Sequence, residues 1–256
     1  MAILSIKDLT YNGLFNNLNL EIENNSFVTL SGPNNCGKTT LFRILDRQIN
    51  YNFNIKVYDK SINEYQIEEL GRIIHIVIPE EIRFYEKTLD EELYYFSNGN
   101  NKRIDSITKG LKIKRLLDKD IETYTRQEIV LAQLSIALST LPKLLLIDNI
   151  RPYFNNKDIE SILQFLKEYA TQNNISIIYS TLNLEDSLIT DRLVIINDGK
   201  VELDGQPIDI LQKDNIINKI GLNIPFMIDL SVKLKDYDLL NEIEMDKNRM
   251  VDKLWN

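Results

Sequence analysis

The sequence predicts an α/β fold with an antiparallel β subdomain, a mostly parallel core sheet, an inserted helical subdomain and a small helical tail. Three observations carry this expectation. A glycine-rich turn follows an apolar strand and opens a helix near Lys38. Apolar runs at 143–147, 175–180 and 193–196 enclose one strongly helical stretch at 158–171. The segment 88–141 has helical rather than strand spacing. Strand, helix and strand in succession require a crossover, which makes the joined strands parallel.

The first 80 residues alternate β-rich runs with turns, at 3–9, 18–22, 27–31, 55–58 and 73–78, with a single helix expected among them, starting near Lys38. Beyond Thr88 the apolar residues recur at threes and fours, as in Leu89, Leu93 and Phe96 and then Ile129, Leu131, Leu134 and Leu138. After Gly205 come amphipathic pieces at 208–220 and 225–237 and a charged end. The expected division is a domain at 1–205, its helical insertion at about 88–141, and a helical tail at 206–256.

With 256 residues, 43% hydrophobic and 27% charged, the chain can bury a sizeable core as one composite domain. The lone Cys36 excludes an internal disulfide, and the lone His75 excludes a Cys/His zinc cluster. Metal chemistry is therefore expected to be oxygen-ligated magnesium. A net charge of -8 opposes a nucleic-acid partner, because affinity for phosphate backbones comes from Lys and Arg. No run approaches the roughly 18 apolar residues of a membrane span. The N-terminal ten residues lack the regions of a signal peptide, so a cytoplasmic protein without direct membrane insertion is expected.

Ser31-Gly32-Pro33-Asn34-Asn35-Cys36-Gly37-Lys38-Thr39-Thr40 fits the P-loop pattern and follows the strand at 27–30. Gly32 and Gly37 allow backbone N–H groups to surround phosphates at a helix N-terminus. Lys38 is placed to reach the β- and γ-phosphates, Thr39 to give its hydroxyl to magnesium, and Thr40 to bond a phosphate oxygen. Pro33, Asn34, Asn35 and Cys36 complete the loop, with Cys36 read as filler. The buried strand at 143–147 ends in Asp148, the acidic residue expected to hold magnesium through water. Tyr11, beyond the first strand, is the candidate for stacking on a nucleotide base.

This order of P-loop, helical insertion, Asp-ending strand and later strand near Ser180 resembles the ATP-binding subunits of ABC transporters over residues 3–205, as does the Asp191-Arg192 segment running through Asn197-Asp198-Gly199-Lys200. The resemblance implies a P-loop NTPase of ABC type that binds ATP and magnesium. The tail, from Ile220-Gly221-Leu222 through Pro225-Phe226-Met227 to Leu239, resembles the C-terminal region of energy-coupling factor transporter ATPases. That likeness implies uptake of vitamins or transition-metal ions, a head-to-tail pair of ATPase subunits, a membrane-embedded coupling subunit, and a peripheral place on the cytoplasmic face of the membrane.

Several positions depart from the family pattern. The signature, ordinarily L-S-G-G-Q, falls at Tyr124-Thr125-Arg126-Gln127-Glu128, and no glycine occurs between Gly110 and Gly199. The general-base position after Asp148 is Asn149, whose amide takes no proton at neutral pH. The histidine position falls at Leu182, and the glutamine position falls near Ile78 with no glutamine close by in sequence. The resemblance therefore implies ATP held at an intact P-loop and turned over weakly or not at all. Because a homodimer would combine both defects in each site, it further implies a heterodimer with an intact ABC ATPase. A nucleotide-sensing regulatory or scaffold subunit is the alternative. The resemblance places a docking surface for the membrane subunit on the helical subdomain near Ile78, where Phe84, Tyr85, Tyr94, Tyr95 and Phe96 cluster, with core packing of the same aromatics as the alternative.

Overall fold

A computed structural model describes residues 2–49 and 53–255. The chain opens with β1 (Ala2–Tyr11), β2 (Phe15–Glu23) and β3 (Phe27–Ser31), followed by α1 (Lys38–Leu45), β4 (Ile55–Val57) and β5 (Lys60–Ser61). Then come α2 (Ile67–Ile73), β6 (Ile74–Val77), α3 (Leu89–Phe96), α4 (Asn101–Gly110) and α5 (Arg126–Ser139). The second half holds β7 (Leu144–Asp148), α6 (Asn156–Asn173), β8 (Ser176–Ser180), β9 (Arg192–Asn197) and β10 (Lys200–Gly205). The short helices α7 (Pro207–Leu211), α8 (Asp214–Lys219), α9 (Phe226–Asp236) and α10 (Lys247–Trp255) follow.

The strands form two sheets. One, ordered β2-β1-β4-β5, is antiparallel, and the other is ordered β10-β9-β3-β8-β7-β6. In the second sheet β9, β3, β8, β7 and β6 run parallel, and only β10 returns antiparallel along the β9 edge. Both faces of β3, β7 and β8 are buried, as such strands require, while His75 and Ile76 of the edge strand β6 are half-buried. Leu145 and Ile147 of β7 join the core under α3, α4, α5 and α6. Leu144 and Leu146 point oppositely, into the core shared with α1 and the antiparallel sheet. A third, smaller core joins Leu193 and Ile195 of β9 to Ile210, Ile217 and Ile228 of the C-terminal helices.

Helix starts follow local chemistry. Thr88 with Glu91 and Thr125 with Glu128 form reciprocal capping boxes on α3 and α5, while Asn100 and Asn155 cap α4 and α6. Helix α6 ends at Asn174 in the left-handed conformation, φ 54°. The expectation of one helix in the first 80 residues is corrected by α2. Its seven residues contain Gly71 and leave Ile67 exposed, so they lack the apolar stripe that announces a helix in sequence.

Candidate functional site

The loop between β3 and α1 is held by its two glycines. A side chain at Gly32 would put its Cβ 2.2 Å from the Ile196 carbonyl oxygen of β9, and Gly32 has φ 148°. At Gly37, φ 102°, a Cβ would lie 2.7 Å from the Phe15 ring. Both positions therefore exclude side chains on contact as well as on backbone angle. Gly37 caps α1, whose first turn carries no acidic residue, so its unpaired N–H groups and positive dipole end face the loop.

Lys38 bends over this loop. Its Nζ donates to the carbonyl oxygens of Gly32 at 2.8 Å and Pro33 at 3.0 Å, with Cys36 Sγ 3.5 Å away. Cys36 is buried against the loop, which fits filler. Thr39 Oγ1 donates to Asp148 Oδ2 at 2.5 Å, and Ser180 Oγ donates to the other oxygen, Oδ1. Asp148 lies at the end of the buried strand β7 and is 5% exposed. A hydroxyl and a carboxylate meeting beside phosphate-ready backbone amides form the oxygen donor set that magnesium favours, so the residues fit a magnesium-bound triphosphate.

One cavity of about 340 Å³ brings together Asn34, Asn35, Gly37, Lys38, Thr39, Thr40, Asp148, Asn149 and Leu182, with Leu14 completing its wall. Gly32, Pro33 and Cys36 are outside that lining and support the loop from behind. Tyr11 is also outside the lining. Its ring stands edge-on to Phe53, with centroids 5.8 Å apart, as part of the packing of the antiparallel sheet. Leu14, three residues on, takes the wall position.

Asn149 follows β7 with φ 37°, and its backbone N–H donates to Ser180 O at 3.0 Å and Ser180 Oγ at 3.2 Å. Leu182 is 37% exposed beside it. Asn149 and Leu182 thus contribute a neutral amide and an alkyl group to the cavity wall, neither of which moves a proton at neutral pH. Just below, Arg151 pairs with buried Asp186, which also accepts from Tyr179 OH at 2.9 Å and Thr181 Oγ1 at 3.0 Å. Burial raises the Asp186 carboxyl above its ordinary pKa and the Arg151 guanidinium opposes that rise. Sequence reading passed over this network because its members lie on three separate segments.

A larger cavity, of about 580 Å³, lies away from the P-loop between α1, α2, β6 and α5. The loop after β6 crosses its rim. Glu81 accepts from Arg43 Nη2 of α1 at 2.9 Å, and Tyr153 OH donates to Glu80 at 3.0 Å. A glutamine does reach this loop, from α5: Gln133 Nε2 donates to Glu81 O at 3.0 Å and Ile78 O at 3.4 Å. No glutamine sits near Ile78 along the chain, and Gln133 reaches the loop only across the fold. Of the aromatic cluster, Tyr85, Tyr94 and Tyr95 are exposed, whereas Phe84 and Phe96 pack against the core.

The family model for ABC transporters matches residues 15–151, which include the P-loop and Asp148. An energy-coupling factor transporter ATP-binding protein EcfA of Pediococcus pentosaceus is 20% identical over 264 residues, covering 96% of this chain and 94% of that protein. A Methanosarcina mazei protein named as an ABC transporter ATP-binding protein is 25% identical over 252 residues, 90% of this chain and 43% of its own length. This chain therefore spans less than half of the Methanosarcina protein and nearly all of the Pediococcus one. Among solved structures, CbiO1 of Clostridium perfringens, part of the ABC transporter complex CbiONQ, superposes with a TM-score of 0.73 at 22% identity. The match covers 90% of this chain and 98% of that one. At that identity the likeness speaks for the fold.

Proposed function

This chain belongs to the ABC transporter family, and from that premise we propose that it is an ATP-binding subunit of an energy-coupling factor type transporter that holds ATP and magnesium with little or no hydrolysis. The supporting observation is the division of one cavity wall. Lys38, Thr39 and Asp148 keep the groups that hold a magnesium triphosphate, while Asn149 and Leu182 occupy the places of a base and a histidine. General-base assistance is worth about 10² to 10⁴ in rate, or roughly 3 to 5 kcal/mol of barrier. Binding draws on the loop backbone, Lys38 and Thr39, and survives that loss.

The partner in this reading is a second, intact ABC ATPase. The N-terminus of α5 presents the exposed side chains Thr125, Arg126 and Gln127, and the Glu128 carboxylate folds back onto Thr125 N at 3.0 Å. A partner's nucleotide arriving there meets side chains and a carboxylate instead of bare glycine backbone. The membrane-embedded coupling subunit docks on the rim of the larger cavity, where Tyr85 is 77% exposed beside Glu81 and Arg83. Among the described residues no helix is long and apolar enough to cross a membrane. The chain therefore reaches the cytoplasmic membrane face through its partners. Residues 206–256 serve pairing of the two ATPases, and the transported solute is a vitamin or a metal ion chosen by another subunit.

Calorimetric titration with ATP and magnesium, together with phosphate release by the purified chain and its Asn149→Glu variant, tests this reading. Saturable binding is expected, with wild-type phosphate release at the level of a Lys38→Ala control. Sustained turnover by the unmodified chain alone overturns it. Recovery with soluble proteins and without membrane subunits favours a nucleotide-sensing scaffold instead.

A further inference from the structure

We propose that Ser180 is a positioning residue for the magnesium-holding carboxylate, fixing the plane in which Asp148 presents an oxygen to the triphosphate. The inference rests on the reading of the P-loop as a magnesium-nucleotide site. Asp148 and Ser180 stand opposite each other in the parallel pair β7 and β8. Ser180 is fully buried, outside the cavity lining, and reaches Asp148 from behind. Its Oγ donates to Asp148 Oδ1, while the same Oγ accepts from the Asn149 N–H at 3.2 Å. One proton and one lone pair are thereby committed, so the hydroxyl rotor has a single useful setting.

That setting turns Oδ2 forward, where Thr39 Oγ1 donates to it at 2.5 Å. Rotation of the carboxylate would break both bonds at once. The left-handed backbone at Asn149, φ 37°, keeps its N–H turned back toward β8 and so holds the serine oxygen in turn. The position after Asp148, in this chain, thus orients Ser180 through its backbone. Outer groups that orient the residues holding a metal carry about 10- to 100-fold of metal affinity.

The test measures equilibrium binding of a fluorescent ATP analogue by Ser180→Ala, Ser180→Cys and Ser180→Thr chains, each with magnesium and with excess chelator. In the alanine and cysteine variants the affinity gained from magnesium should fall about 10-fold or more, with chelator-arm affinity within about twofold of wild type. The threonine variant should keep the full gain, since it restores the hydroxyl. If the alanine chain does not fold, the cysteine chain, of nearly serine volume, decides. Equal losses in both arms, or no loss in either, overturn the role of Ser180. A wild-type chain that binds no nucleotide in either arm overturns the parent reading and this one with it. Nucleotide binding in which magnesium adds nothing overturns the magnesium part of the parent reading and this one with it, whereas a wild-type magnesium gain that the alanine and cysteine chains keep in full overturns this one alone.

Discussion

Acidification should weaken this protein through one histidine. His75 lies on β6 opposite Leu145 of β7, in the wall of the larger cavity, and burial lowers its pKa from 6.5 to about 4. The unfolded chain takes up this proton near pH 6.5 and the folded chain only near pH 4. Between those values the unfolded state binds more protons, and stability falls as pH falls. At about 1.4 kcal/mol per pH decade, the interval from 6.5 to about 4 sets a ceiling of roughly 3 kcal/mol. Integrating the two titrations between about pH 7 and pH 5 gives a loss of about 2 kcal/mol from this residue. Urea unfolding of wild type and His75→Gln at both pH values measures it, since carboxylates titrate alike in the two chains and cancel. The stability of wild type relative to the variant should drop by about 2 kcal/mol on acidification. A difference constant to within about 0.5 kcal/mol would refute the claim that His75 is held neutral by burial.

Lys38→Ala should lower affinity for magnesium-ATP by about 10- to 150-fold, the worth of a charge-assisted bond of roughly 1.5 to 3 kcal/mol, and calorimetry reads it directly. Arg151→Ala leaves the buried Asp186 carboxylate without its cation and should cost about 3 to 5 kcal/mol in urea unfolding. That cost should shrink at lower pH, because the raised Asp186 carboxyl neutralises more readily once Arg151 is gone. Gly110→Ala would set a Cβ 2.0 Å from the Phe165 ring, where α4 meets α6, and should destabilise by about 1 to 3 kcal/mol. In a double-mutant cycle Phe165→Leu should recover part of that loss; strict additivity would mean the contact is not the cause.

The parallel sheet was legible because its strands are buried on both faces and read as unbroken apolar runs, as in Leu144, Leu145, Leu146 and Ile147. The helical insertion was legible from its spacing. Helix α2 was not, because seven residues give too short a period and its Ile67 faces outward. The antiparallel edge strand β10 has no apolar run to announce it in sequence, since only Leu203 among its six residues is buried. In the site, the P-loop and Asp148 are each contiguous with an apolar strand and declare themselves. Ser180 and Gln133 do not: each acts through a contact that closes only when distant segments meet, 32 residues from Asp148 in one case and 52 from Glu81 in the other. Tyr11 shows the opposite limit, since position along the strand does not disclose that Phe53 packs against its ring.

The proposed separation of binding from hydrolysis has a thermodynamic consequence for a paired assembly. A ligand bound to the folded, assembled state stabilises it by RT ln(1 + [L]/Kd), about 2.7 kcal/mol at a hundredfold excess over Kd. In a hydrolysing site that contribution rises and falls with each turnover. At the proposed non-hydrolysing site, lined by Asn149 and Leu182, it would stay nearly constant. A partner with an intact base would then open and close against a fixed background, and one hydrolysis event per cycle would suffice to shift the equilibrium between the two states. Such a pair would require the P-loop, since an empty site would remove the background and leave the partner's single nucleotide to hold the interface alone. It places no comparable demand on the base, because a second hydrolysis would only reopen what the first has already released. In the proposed pair Lys38, Thr39 and Asp148 thus serve the background that the partner works against, while no base at Asn149, no histidine at Leu182 and no glycine turn at Thr125-Arg126-Gln127 is needed for it.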